Sequence, residues 1–362
     1  MKNLQKQFIE QLCKSTKVTG NALKVSLALI DKELTQKELC QRYKYKKSAV
    51  SMSIKKLLDL GIIEKKKKYN SFIYYSNLNW KDEGLKVLTW NINNRSNNSK
   101  SMPLFIANEI VNRTADIVIL TEFNITEGWE SFKDILEENN YKLFYNQWPN
   151  NNANEILIAI KRRKEIKFKF EKNILIESDI KEKPDFLEIP IIFEGKLFNI
   201  IGNRIRTQKD YTKRRQQLDS LIEHLKDKEN VLIMGDFNNS KICGDRNLRY
   251  EDVREEYHFT QRGEVSDLYD TYNYHILKDA FKDNDFTLYT PKEGYSWVGM
   301  GNYKYQQDHI VTKGLYLDES YYDWDFVKFY NGYKNLHEGD YKSDEPGLPD
   351  HAILTSVIEI KE

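Results

Sequence analysis

The sequence predicts an α/β unit over residues 85–362, preceded by a small helix-and-hairpin module at 1–78 and a polar linker at 79–84. Three observations carry that expectation. Beyond residue 84, short apolar runs alternate with amphipathic stretches, the pattern of strands and helices packed in layers. Four of those runs deliver polar groups at or near their carboxyl ends, the edge where α/β sheets bind ligands. Charge also divides sharply: residues 1–80 hold 17 Lys/Arg against 6 Asp/Glu, a net of +11, in a chain of 362 residues whose total is +1. The remainder is therefore near −10, and all six histidines lie in it. The basic part is a candidate polyanion binder, and proton chemistry is expected in the acidic part.

Composition excludes several classes. With ~150 residues per domain the length suits two or three domains. No apolar run approaches the ~18 residues of a membrane span, and no secretory apolar segment opens the chain, so no membrane association is expected. Cys13, Cys40 and Cys243 are odd in number and far apart, with no CxxC spacing. A disulfide framework or cysteine zinc site is thereby excluded, and a reducing cytoplasm is the expected compartment.

In the basic module, residues 20–31 (GNALKVSLALID) form an apolar helix. Thr35 caps the next helix, TQKELCQRY, with Glu38 at capping-box spacing. After the turn KYKK, residues 47–60 place Val50, Ile54, Leu57 and Leu58 on a core face and Lys47, Ser48, Ser51 and Lys55 on the opposite one. Gly61 ends that helix, and IIEKKKKYNSFIYYS supplies two short strands around a turn near Tyr69–Asn70. This order resembles a winged helix-turn-helix, especially the MarR-type and GbsR-type regulators. The resemblance implies that Lys47, Ser48, Ser51 and Lys55 face the major groove of DNA while Lys65, Lys66, Lys67 and Lys68 meet phosphates. DNA is the expected partner, RNA stays open, and a homodimer through this module is a further expectation.

In the acidic part, LKVLTWNI (85–92) is a strand ending at Asn91, and LFIANEIVNR (104–113) is helical. DIVILTEF (116–123) is a strand ending at Glu122, and KLFNIIGNRI (196–205) is a third. Leu218, Leu221, Ile222 and Leu225 mark one face of a helix over 210–227, and NVLIMGDFN (230–238) runs into Asp236 and Asn238. Asp308 is expected at the start of a strand, and Asp350 and His351 just before another. Asn and carboxylates without cysteine suit a hard cation, Mg²⁺ or Mn²⁺. A carboxylate beside a histidine adds a metal ligand and a proton carrier in one loop.

The ordered set TWNIN, TEF, GDFN, YSW…QQDHI and PDHA resembles the endonuclease/exonuclease/phosphatase superfamily over about residues 85–362. That resemblance implies a four-layer sandwich of two packed β-sheets flanked by helices, and divalent-metal hydrolysis of phosphoesters. It implies that Asn91 helps organise the metal, that Glu122 is its central ligand and that Asp350 is a metal-side carboxylate. It implies that Asp236 and Asn238 position nucleophile or leaving group and phosphate, and that Asp308 orients His351, the general base or phosphate-polarising group.

One departure stands out. Where members often carry a third-strand histidine, this chain has IIGNRIRT and hence Arg204, which holds its proton and is expected to grip a phosphate oxygen. The leaving-group acid then falls to Asp236 or to metal-bound water. His309 should point to the far face of its strand, and His224, His258, His275 and His337 read as surface or packing residues. Trp297 reads as core or site, and residues 239–280 as a polar, substrate-facing insertion. The leading expectation is a DNA endonuclease or nickase, suited to a genome-conflict role such as phage defence. The alternatives are a small-phosphate diesterase or phosphatase, and a DNA-binding regulator with a phosphate-sensing domain.

Overall fold

The computed structural model describes residues 8–9, 12, 18, 20–30, 32–68, 71–77, 84–94, 101–145, 155–163, 165–169, 174–193, 195–206, 211–242, 266–298, 304–317, 320–330 and 347–360. The chain divides into two compact units, Met1–Glu83 and Gly84–Glu362. The expected linker at 79–84 lies, apart from Gly84, outside the described residues.

The first unit contains α1 (Gly20–Ala28), β1 (Leu34–Thr35), α2 (Gln36–Tyr43), α3 (Lys47–Asp59) and a hairpin of β2 (Ile63–Lys68) and β3 (Ser71–Ser76). The capping box is formed: Thr35 accepts from the Glu38 N–H, and the Glu38 carboxylate returns to the Thr35 N–H at 2.6 Å. α1 stops short of the predicted residue 31 because Leu29 and Ile30 close tighter i→i−3 turns onto Ser26 and Leu27. Val50, Ile54 and Leu57 of α3 join Val25, Leu29, Leu39, Ile62 and Ile63 in one core, with Leu58 at its edge. β1 adds a strand that the sequence did not announce, giving the order β1-β3-β2.

The second unit begins with β4 (Leu85–Asn91), α4 (Phe105–Arg113), β5 (Ile117–Phe123), α5 (Trp129–Glu138), β6 (Tyr141–Tyr145) and β7 (Glu155–Lys161). Next come β8 (Ile166–Phe168), β9 (Asp185–Phe193), β10 (Lys196–Arg204), α6 (Tyr211–Leu225), β11 (Val231–Ile242) and α7 (Ser266–Lys282). It closes with β12 (Thr287–Tyr289), β13 (Trp297–Val298), β14 (Lys304–Lys313), β15 (Leu315–Leu317), β16 (Tyr321–Asp323) and β17 (Ile353–Ile360). One sheet runs β15-β17-β4-β5-β7-β6 with β16 beside β17; the other runs β12-β14-β11-β10-β9-β8 with β13 beside β14. Each sheet has a parallel pair, β4/β5 and β10/β11. A parallel pair requires a crossover, supplied by α4 and α6, so both strands of each pair end at the same edge.

Period-2 alternation sorts the strands into layers. Ile117, Ile119, Ile156, Ile158, Ile200, Leu232, Met234 and Ile310 meet between the sheets. The intervening Val118, Leu120, Leu157 and Ala159 pack under Ile106, Ile110, Phe132 and Leu136 of α4 and α5. Ile201, Val231, Ile233 and Val311 pack under Leu218, Leu221, Leu277 and Phe281 of α6 and α7. The result is the expected four-layer sandwich. Part of the polar stretch at 239–280 is therefore structural, because α7 covers the outer face of the second sheet; residues 243–265 lie outside the described set.

Two glycines stand where a side chain has no room, Gly202 against the opposite sheet and Gly235 against the neighbouring strand of its own. A Cβ on Gly202 would meet Ile156 at 2.4 Å, and one on Gly235, at φ +146°, would meet the carbonyl oxygen of Asn203 at 1.9 Å. Gly235→Ala should cost about 3 kcal/mol or more, since backbone cannot step aside as a flexible side chain can. Gly195→Ala, with nothing within 4 Å, should cost only about 1 kcal/mol through its positive φ. Urea unfolding of the two variants checks the contrast.

Candidate active site

The apolar inner layer gives way to polar residues at one edge without changing its alternation. Leu85 and Val87 face the opposite sheet, and Asn91 keeps their parity on β4. Arg204 follows Phe198 and Ile200 on β10, Asp236 follows Leu232 and Met234 on β11, and Asp308 shares the parity of Ile310 on β14. The same geometry that buries the core thus aims these four groups into the gap between the sheets.

Glu122 breaks the rule. Val118 and Leu120 point outward, so strict alternation would send Glu122 to the helix side. The β5/β7 register shifts between Leu120 and Phe123, and Glu122 takes a left-handed φ of 52°. This one-residue bulge turns its carboxylate inward and returns Phe123 to the outer layer. β11 carries a comparable irregularity after Asp236, where Asn238 has φ 47°. Asp236 and Asn238 are therefore held within a longer strand rather than at its end. Asp308 is likewise mid-strand, opposite Asp236, and not at a strand start, because β14 runs on past the site to pair with β13.

Polar pairs cross from sheet to sheet here. Arg204 donates through Nε (2.9 Å) and Nη2 (2.7 Å) to Oε1 of Glu122. The Asn91 amide donates to Asp236 Oδ2 at 3.1 Å. His351 Nδ1 lies 2.7 Å from Asp308 Oδ2. Asn238 donates its N–H to Asp236 Oδ1 (2.8 Å) and its amide to Asp236 Oδ2 (3.1 Å) and to the Ile205 carbonyl (2.7 Å). Asp350, partly exposed, accepts from the Trp297 indole, whose ring centroid lies 6.3 Å from that of His351. All eight catalytic and metal candidates thus gather in one place.

Arg204 departs from its expected role. Its third nitrogen, Nη1, goes to Asp185 Oδ2 at 3.3 Å, and the side chain is only 2% exposed. The guanidinium therefore holds carboxylates rather than standing open for a phosphate oxygen. Asp185 was not foreseen. Neither were Trp90, which donates to the His351 carbonyl at 3.0 Å, nor Ser296 and Tyr322, which fix the Asp308 backbone. A local signal existed for Asp185: the two-residue connection at 194–195 pairs Phe193 with Lys196, and counting outward brings Asp185 opposite Arg204.

Burial and crowding set the protonation. Burial pushes Asp236 up to about 6, against the pull of His351 and Arg204 and with the push of Asp308 and Glu122. Burial opposes a charged His351, yet Asp308, Asp350 and Asp236 carry it up to about 10. Asp350 is also raised, by burial first and by the nearby Glu122 charge. Asp308 Oδ1 is buried without a hydrogen-bond partner. Such crowded hard oxygens suit a divalent cation. Among the described residues no three His, Cys, Asp or Glu side chains are grouped so as to hold a metal ion by themselves. An open site of one or two carboxylates completed by water and phosphate is the usual Mg²⁺ arrangement.

His309 and His224 fall outside the site. His309 faces α7, with Nδ1 on Thr290 (2.9 Å) and Nε2 on the Asn239 carbonyl (2.9 Å). His224 is not a surface residue: it is buried, with Nε2 on Glu188 at 2.8 Å and Nδ1 accepting from the Glu177 N–H. His258 and His337 lie outside the described residues.

In the first unit, Lys47, Ser48, Ser51 and Lys55 are exposed on α3, and Gln36 ties α2 to Ser51 and the Lys47 carbonyl. The wing lysines are not equivalent. Lys66 pairs with Glu33 at 2.5 Å and lies over Tyr75, Lys65 lies over Phe72, and Lys67 is exposed. Lys68 closes β2, with its side chain outside the described set.

A raised imidazole binds its proton more tightly in the folded state. The stabilisation is complete below the ordinary value near 6.5 and is lost as pH rises through about 10. In EDTA, the melting temperature should therefore fall across that window, by up to about 1.4 kcal/mol of stability per pH unit for one proton. Asp308→Asn should flatten this dependence. An unchanged pH profile in that variant would show that the pair does not set His351.

A model of the Endonuclease/Exonuclease/phosphatase family matches residues 88–327. A model of bacterial regulatory proteins of the arsR family matches residues 20–65. This corrects the MarR/GbsR expectation: the capping box, helix pair and wing that suggested it are common to winged helices and do not separate their families. No curated protein matches the chain in sequence. Among solved structures, the chain is similar to ANGEL2, a 2′,3′-cyclic phosphatase, with adenosine-2′,3′-vanadate (13% identity, 77% of this chain and 96% of that one, TM-score 0.50). It is also similar to the human Nocturnin catalytic domain with bound sulfate (15%, 77% and 94%, TM-score 0.47). A third is D. rerio TDP2 complexed with single-strand DNA product (14%, 77% and 100%, TM-score 0.43). These likenesses are of fold. Given the match over residues 88–327 and the two-sheet site, the chain belongs to the Endonuclease/Exonuclease/phosphatase family of phosphoester hydrolases, with an arsR-type helix-turn-helix ahead of its catalytic unit.

Proposed function

We propose that the protein is a Mg²⁺- or Mn²⁺-dependent phosphodiesterase that cuts or nicks DNA, and that α3 and the wing recruit the duplex. The observation that carries this reading is the union in one chain of an exposed Lys/Ser helix face on a +11 segment with a phosphoesterase site. A cytoplasmic role in genome conflict, such as phage defence, suits that union.

Glu122 and Asp350, with Asn91, are the residues to hold the cation, which when bound neutralises charge developing on the phosphate. His351, clamped through Nδ1 by Asp308, keeps Nε2 for the substrate. With its value near 10 it works at neutral pH as an imidazolium donating to a phosphate oxygen. Asp236, near 6, is the group poised to move a proton, and Asn238 and Asn91 fix its two oxygens.

Supercoiled plasmid, single-stranded DNA and RNA incubated with Mg²⁺, Mn²⁺ or EDTA test the reading. Nicked circles are expected with either cation and none in EDTA. Glu122→Gln and Asp350→Asn should lower the rate by about 10²-fold or more while circular dichroism and DNA binding persist. A wild-type protein that cleaves no polynucleotide under any of these conditions would sink the nuclease reading.

For recruitment, binding of the Glu122→Gln chain to duplex DNA should fall steeply with salt. Each of Lys65→Gln and Lys67→Gln should shallow the log–log slope by about 0.9 if its phosphate contact is lost. Lys66→Gln should change it less, because Glu33 already neutralises that ammonium. Slopes in all three variants unchanged from that of the chain with its wing intact would mean that these lysines do not touch DNA.

A further inference from the structure

Glu122 is the first rung of a ladder of alternating charges. Arg204 occupies its Oε1 with two nitrogens and sends the third to Asp185 Oδ2 at 3.3 Å. Asp185 Oδ1 accepts from Arg206 Nε at 3.0 Å, and Arg206 Nη2 donates onward to the Lys183 carbonyl at 2.9 Å. Asp185 and Arg204 are direct cross-strand partners on β9 and β10, so the antiparallel register itself sets this contact. The ladder runs from a buried carboxylate to Arg206, whose side chain is 47% exposed.

A guanidinium does not release its proton, so Glu122 faces a permanent positive charge at every working pH. A divalent cation that takes the same carboxylate meets repulsion from that charge at short range, where little water lies between them to screen it. Asp185 offsets part of the repulsion, and Arg206 restores a smaller part from farther out.

We propose that this ladder sets the affinity of the site for its divalent cation, with Arg204, Asp185 and Arg206 as positioning residues that act through Glu122. The inference rests on the metal-dependent reading above. It assigns the rungs opposite signs: Arg204 and Arg206 loosen the cation, and Asp185 tightens it. A ladder that merely held Glu122 in shape would give one sign, since losing any rung would then weaken the cation.

The test is Mn²⁺ binding to the full chain without nucleic acid, followed by the electron paramagnetic resonance signal of free Mn²⁺. Arg204→Gln should lower Kd about tenfold and Asp185→Asn raise it about tenfold, while Arg206→Gln lowers it about two- to threefold. Arg204→Lys keeps the charge but not the fork, and should stay within about threefold of wild type. Thermal melts establish that each variant is folded. If Arg204→Gln does not fold, the exposed Arg206→Gln against Asp185→Asn still gives the two signs. Shifts in one direction for both kinds of rung, or no shift in any, overturn the inference and leave the metal reading standing. A wild-type chain that takes up no Mn²⁺ overturns both.

Discussion

Two apolar sheets packed face to face have to end somewhere, and here they end in polar groups paired across the gap. Removing an ionised side chain from water costs several kcal/mol unless a partner of opposite sign meets it in good geometry. Two crossings, Glu122 with Arg204 and Asp236 with Asn91, take one member from each sheet, and in the third Asp308 of one sheet meets His351 from the loop that leads into β17 of the other. Neither sheet could bury its edge alone. The separation that lets these pairs close is fixed behind them by Ile119, Ile156, Ile200 and Met234, and by Gly202, where a Cβ would meet Ile156. Packing therefore sets the site's geometry before any ligand arrives.

The left-handed residues belong to the same economy of space. Glu122 and Asn238 both hold positive φ without being glycine, a conformation that costs of order 1–3 kcal/mol. Each is held by what it gains there. Glu122 reaches the opposite sheet, and Asn238 folds back to bind both oxygens of Asp236. Strain sits where strand regularity would have pointed a needed group the wrong way.

This explains which features were legible in the sequence. The layers were, because runs such as IVIL and VLIM fix strands by composition and period. The polar ends of those runs were too, since a buried strand that finishes on Asn or Glu is unusual enough to notice. β6 to β9 were not anticipated. β8 is three residues long and β9 carries Pro190, which leaves little periodic signal. The inward turn of Glu122 was invisible because a bulge is a property of a strand pair, and β7 was unread. Asp185 has no motif around it and acquires meaning only through its pairing with Arg204. His224 read as either a surface or a packing residue, and only the segment before β9 and the buried Glu188 decide for packing. Local chemistry survives in sequence; what depends on two distant strands meeting does not.

Arg204 bears on a conflict that any such site faces. Four gathered carboxylates, Glu122, Asp236, Asp308 and Asp350, suit a divalent cation, and the same negative charge repels the anionic phosphoester that a hydrolase of this family engages. A histidine on the third strand would relieve this only while protonated, whereas an arginine does so at every pH. Its effect is confined to the buried pair, where screening is weak. On the proposed recruitment of DNA, the basic N-terminal segment attracts the polyanion through exposed lysines, an attraction that salt screens beyond about a Debye length, near 8 Å at physiological ionic strength. One device works through a buried hydrogen-bonded fork and the other through exposed lysines, so ionic strength should act strongly on recruitment and weakly on the charge state of the site.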